Sequence, residues 1–149
     1  MTSGKINGNV IVQRAAWIHK MLDSIRELPL QTREDFINNK HNIAAAESYL
    51  RHALEALFDI GRHILAKKFA HPAAEYKEIA NGLLEKKVLA KHDAEILRQM
   101  AGYRKRMVHF YHEIGPEELY DICTTHLDEI RLLLTKLAKW TRKDLKLKR

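Results

Sequence analysis

The chain is poor in the residues that staple, break or loosen a fold: one cysteine, three prolines and six glycines in 149 residues. Cys123 alone can close no internal disulfide and form neither a zinc knuckle nor a redox pair, so packing must hold the fold and a reducing, cytoplasmic setting is expected. No apolar run approaches the roughly 20 residues of a membrane helix, and the opening MTSGKING is polar, so neither export nor a membrane span is expected. Internal repeats are absent, and the only biased segment is a basic end. A chain of this length buries roughly 70% of its unfolded surface, enough for one core.

What is present is helical periodicity. Pro29, Pro72 and Pro116 each fall where a helical pattern should break. Between Val10 and Leu28 the residues Ile11, Ala15, Ile18, Leu22 and Ile25 recur at steps of three and four, which predicts a first helix with one buried face. A polar connector from Gln31 to Asn39, with a short turn at Arg33 to Ile37, leads to a long helix from His41 to Ala70. A short helix near Ala74 to Glu85, a long one from Lys91 to Tyr111 and a last one from Glu117 to Trp140 complete the pattern. The expected fold is all-α, an antiparallel bundle of four to six helices, with a flexible tail at 1–9, a helical domain at 10–140 and a basic tail at 141–149.

The formal charge of +7 makes an anionic partner plausible. Much of it is terminal, because TRKDLKLKR holds five basic residues and one acidic one. That segment reads either as a solvated helix end or as a nucleic-acid or partner-binding extension.

One segment carries recognisable chemistry. Met100 to Ile114, MAGYRKRMVHFYHEI, places Arg104, then four residues, then His109, one residue, and Tyr111. This spacing resembles the R-x4-H-x-Y signature of the HepT proteins in the HEPN superfamily. The stretch Tyr49 to Ile64, with Ala53, Glu55-Ala56, Asp59-Ile60 and His63, is similar to the family's long second helix, and Leu119-Tyr-Asp-Ile122 also fits, so the resemblance covers roughly residues 10 to 138. In one respect the chain departs from the family: Lys105 stands where a small polar residue, most often Asn, usually follows the arginine.

The resemblance implies a dimer-forming toxin of a type VII toxin–antitoxin module, a metal-independent RNA endonuclease with its site in the cleft between two protomers and a 2′,3′-cyclic phosphate product. It assigns Arg104 to the phosphate and the transition state and His109 to acid–base catalysis. The partner it implies is a minimal nucleotidyltransferase antitoxin that silences the toxin by transferring AMP to the motif tyrosine, here Tyr111. Physical chemistry agrees with these assignments. RNA carries its own nucleophile, the 2′-OH, histidine titrates near neutrality, and a guanidinium fork suits a phosphate gaining charge. Lys105, Arg106, Asp59 and His63 are candidate substrate contacts; no metal and no cofactor is expected.

Two matters stay open at this level. On a regular helix Arg104 and His109 differ by about 140°, so either the helix distorts before Gly115 or Arg104 of one protomer meets His109 of another, the option the family's dimeric site favours. His52, Asp59 and His63 form a polar stripe that reads as a metal site, a hydrogen-bonded cluster or part of the cleft. The alternative function is a non-catalytic nucleotide-binding or nucleotidyltransferase-partner module, in which Lys105 marks lost cleavage; a purely structural adaptor is a third. Few aromatics are present to stack single-stranded bases, so no RNA sequence preference is legible.

Overall fold

The computed structural model describes residues 4–109 and 114–147, which form seven α-helices and, among the described residues, no strand. They are α1 (Gly8–Arg26), α2 (Arg33–Ile37), α3 (Lys40–Phe69), α4 (Tyr76–Glu85), α5 (Lys91–Val108), α6 (Pro116–Thr125) and α7 (Leu127–Leu147). The all-α bundle is as expected, with one helix more than the range of four to six. The extra helix comes from the break at His126 inside the segment expected to run unbroken from Glu117 to Trp140. There the Thr124 and Thr125 hydroxyls donate back to carbonyls of Tyr120 and Asp121, which competes with the helical ladder in the last turn of α6.

Several helices start where the local chemistry supplies a cap or a favourable first residue. Asn7, Thr32 and Asn39 side chains accept from the first-turn amides of α1, α2 and α3. Glu75 and Glu78 form a reciprocal capping box on α4, and Pro116 opens α6. α3, thirty residues long, packs against all six other helices. Its buried residues, Leu50, Leu54, Leu57, Phe58, Ile60, Ile64 and Leu65 among them, form the middle of the core together with Ile18, Leu22 and Ile25 of α1.

The ends differ from the expected tails. Ile6 is buried and the Asn7 amide donates to His63 Nε2 at 2.9 Å, so residues 4–9 are tied to α3. At the other end α7 continues to Leu147, with Thr141 buried, Asp144 bridged to Lys68 at 2.9 Å and Trp140 against Phe69. Both segments have inward-facing anchors that a reading of their polar composition passes over.

α4 lies unusually close to α3 because glycines face the contact from both sides. A Cβ at Gly61 would sit 2.8 Å from Ile79 Cγ2 and 3.0 Å from Leu83 Cδ1, and one at Gly82 would sit 2.9 Å from Leu65 Cδ1. Gly102, on α5, has nothing within 4 Å of such a Cβ. Gly61→Ala is expected to destabilise the fold by about 1–3 kcal/mol through overpacking, whereas Gly102→Ala is expected to stabilise it by about 0.5–1 kcal/mol by restricting the unfolded chain. Urea unfolding midpoints test the pair, and equal shifts in the two variants would contradict the close approach.

Candidate functional site

Three helices converge on one cleft of about 560 Å³, lined by Arg62 of α3, Ala74 to Lys77 at the start of α4, and Ala101, Arg104, Lys105 and His109 of the α5 end. Arg104 and His109 thus line one cleft within a single chain. They do so because α5 stops at Val108: His109 has φ −102° and ψ 124°, an extended conformation that takes it off the helical path. The distortion before Gly115, the first of the two geometric options, is present in the chain.

Arg104 is held on two sides. Its Nη2 donates to Glu55 Oε2 at 2.9 Å, and its guanidinium lies 4.8 Å above the Tyr76 ring, whose other partner is Phe58, stacked at 4.2 Å. Nη2 is the engaged nitrogen; Nε is buried without a hydrogen-bond partner among the described residues. Burial raises the Tyr76 phenol above its ordinary value against the opposing pull of Arg104, so it stays neutral and can donate. Glu55 also accepts from Arg51 at 2.9 Å, and is therefore shared by two cations.

Lys105 and Lys77 are exposed and make no ion pair among the described residues, which leaves both ammonium groups available at the cleft. Arg62 is already engaged. It donates to Asp59 at 3.1 Å and to the carbonyls of Ala73 and Ala74, fastening the connector before α4 to α3. The N-terminal end of α4 brings the positive end of a helix dipole to the same place, partly offset by the Glu75 carboxylate.

The remaining expected site residues separate. Arg106 turns away to a two-point fork with Glu118 of α6, both distances 2.6 Å, which raises the arginine pKa and lowers that of the carboxylate. Asp59 bridges Arg62 and, at 3.8 Å, Arg14 of α1; it supports the cleft wall. His63 faces the start of α1, where it accepts the Asn7 amide, and does not line the cleft. His52 packs edge-on to Trp17 and lies 3.4 Å from the Ser48 hydroxyl, so the polar stripe of α3 divides into separate structural contacts. Among the described residues no three His, Cys, Asp or Glu groups are placed to share a metal ion. Cys123 is a buried apolar group whose thiol is pushed up to about 12 by burial. Tyr111 lies outside the described residues.

Glu55, Tyr76 and Lys77 were not among the expected site residues. Glu55 had one visible signal, a carboxylate on a largely apolar stretch of helix; Tyr76 and Lys77 reach the cleft only through tertiary packing.

A family model described as ribonuclease HepT-like matches residues 18–137. A tRNA nuclease HepT from Aphanizomenon flos-aquae is 23% identical over 131 residues, covering 88% of this chain and 89% of its own. Among solved structures, the tri-AMPylated Shewanella oneidensis HEPN toxin in complex with its MNT antitoxin superposes with a TM-score of 0.79 at 18% identity, over 86% of this chain and 96% of that one. YutE of Bacillus subtilis, a cytosolic protein of unknown function, superposes with a TM-score of 0.77 at 17% identity, over 94% of each chain. No described helix is long and apolar enough to cross a membrane.

The contact of His63 with Asn7 gives the fold a pH dependence of calculable sign. Burial, then Lys67, lowers the His63 pKa below its ordinary 6.5, since an imidazole that accepts an amide proton must be neutral. Folded His63 therefore binds fewer protons than unfolded His63, so its contribution is present above pH 6.5 and declines as pH falls through that value toward the folded pKa. The wild type is expected to lose stability more steeply between about pH 7 and 5 than His63→Gln, whose amide oxygen accepts without titrating. Parallel profiles of urea midpoint against pH would contradict this.

Proposed function

Because this chain belongs to the HepT-like ribonuclease family, we propose that it is an RNA endonuclease acting as the toxin of a toxin–antitoxin module, with the Arg104–His109 cleft as its active site. The observation that carries this reading is the placement of Arg104, Lys105 and His109 on one cleft with Lys77, beside the positive end of α4. The arrangement suits a phosphodiester: Arg104 has donors unused among the described residues, and two exposed ammonium groups line the same cleft.

The reaction follows from the substrate. His109 as base takes the proton of a ribose 2′-OH, the 2′ oxygen attacks the adjacent phosphorus, and the bond to the 5′ oxygen of the next nucleotide breaks as that oxygen gains a proton. The products are a 2′,3′-cyclic phosphate and a 5′-OH, and no metal is required. Arg104 and Lys105 stabilise the extra negative charge on the phosphorane. A single imidazole lines the cleft among the described residues, so separate base and acid call for a second proton carrier. The His109 of a second copy fills that role if two clefts face each other in a homodimer, which is the proposed state.

Regulation uses the same electrostatics. The solved toxin from Shewanella oneidensis is AMPylated and bound to an MNT antitoxin. We assign the equivalent modification here to Tyr111, two residues along the chain from His109, by a nucleotidyltransferase antitoxin. An added AMP phosphate would compete for Arg104 and obstruct RNA. One observation favours a second reading, a nucleotide-binding module without cleavage: Lys105 lines the cleft where a small polar residue is usual, and an ammonium cannot accept a hydrogen bond as an amide can.

Expression of the wild type alone is expected to arrest growth. His109→Ala and Arg104→Ala are each expected to relieve arrest and to lower cleavage in excess chelator by about 10²–10⁴-fold. Toxicity unchanged in both variants would refute the assignment, whereas RNA or nucleotide binding without cleavage would favour the second reading. Co-expression with a cognate nucleotidyltransferase antitoxin is expected to add whole AMP units to the intact mass, lost in Tyr111→Phe; retention of the increments in that variant would move the modification elsewhere.

A further inference from the structure

A second cationic surface lies on the last turns of α7. Lys139, Arg142, Lys143 and Lys146 fall within about 100° of one another around a regular helix, and among the described residues these four line a shallow depression of about 460 Å³. All four are exposed, and none has an ion pair or hydrogen bond among the described residues. The one acidic residue nearby, Asp144, is turned inward to Lys68 and is mostly buried. Like charges at these spacings repel one another, so the stripe persists only because the opposite face is anchored by Leu137, Trp140 and Thr141. The segment is thus an ordered helix face with its carboxylate withdrawn. It also lies beyond residue 137, where the family match ends.

We propose that this stripe binds the phosphate backbone of a folded RNA, anchoring the substrate while its scissile bond occupies the Arg104 cleft; the cleft half of this statement rests on the ribonuclease reading. A polyanion is the occupant that relieves four unpaired cations at helical spacing. A membrane surface fits less well, because an interfacial helix needs free apolar residues beside its cations, and Leu137 and Trp140 of this segment pack against the core. α3 relates the two sites: Arg62 lines the cleft and Lys68 holds Asp144, six residues apart, which is about 9 Å along the axis and about 120° around it. They occupy different flanks of α3, so an RNA that engages both must pass around the protein, which a folded RNA of tRNA size is large enough to do.

The test is the variant Lys139→Gln, Arg142→Gln, Lys143→Gln, Lys146→Gln, with unchanged helicity and melting as the folding control. Its kcat/KM on a folded RNA of tRNA size is expected to fall at least about tenfold, while that on a short oligonucleotide stays within about twofold. Binding is measured in a His109→Ala background, which holds RNA without cutting it. There the slope of log affinity against log salt for the folded RNA is expected to shrink by about 3, because each phosphate neutralised by the stripe adds about 0.7–0.9 to that slope. An unchanged slope and affinity while the wild type cleaves would overturn the stripe and leave the ribonuclease reading intact. Stripe-dependent binding without any cleavage would do the reverse. No RNA binding at all, or stripe-dependent binding only to vesicles containing phosphatidylserine, would overturn the stripe as an RNA contact.

Discussion

The cleft depends on how one guanidinium is held. Arg104 must be fixed in direction without being neutralised, and a one-to-one ion pair would achieve the first while defeating the second. Here the carboxylate that fixes it, Glu55, is shared with Arg51, and the next carboxylate along α3, Asp59, is shared between Arg62 and Arg14. Four arginines divide two carboxylates, so the local charge remains positive with all of these ion pairs formed. Ion pairs this exposed contribute on the order of 0.2–1 kcal/mol each, too little to set the geometry alone. Packing does that: the Tyr76 ring beneath Arg104 is backed by Phe58, and α4 carries Tyr76 there because Gly61 and Gly82 let two helices approach.

Much of this fold was legible because its helices obey local rules. Prolines and Asn or Thr caps mark boundaries, and Ile11, Ile18, Leu22 and Ile25, placed inward on period alone, are all buried. The departures share one cause, which is that distant contacts decided them. α5 ends at Val108 with no glycine or proline to announce it; the Arg106–Glu118 fork and the burial of Ile114 constrain where the chain must return. Ile6 and Asp144 sit in polar stretches, and what turns those stretches inward is α3, far away in sequence from both.

The site was legible in a different proportion. Spacing brought Arg104, Lys105 and His109 forward as a group, and the fold places those three together. It also brought forward Arg106, Asp59 and His63, whose side chains are engaged elsewhere, because a polar side chain in a sequence gives no indication of whether its partner is another residue or a ligand. Tyr76 and Lys77 come from a helix with no motif. Their role arises only when α4 folds back across the Gly61 contact.

The end of α5 also changes what a second protomer is needed for. On an unbroken helix Arg104 and His109 point apart, and a partner would be needed merely to assemble a phosphate clamp and a base. With His109 extended off the helix, one chain brings both side chains to the same cleft. What one chain lacks, among the described residues at the cleft, is a second imidazole: the other polar groups there are the Tyr76 phenol, raised by burial, the Glu75 carboxylate held in the α4 capping box, and the guanidinium and ammonium groups. Transesterification moves one proton from the 2′ oxygen and delivers another to the departing 5′ oxygen, on opposite sides of the phosphorus. A single imidazole can do both only by changing sides or by relaying through water. The case for pairing two clefts thus rests on the proton inventory and no longer on the direction of two side chains.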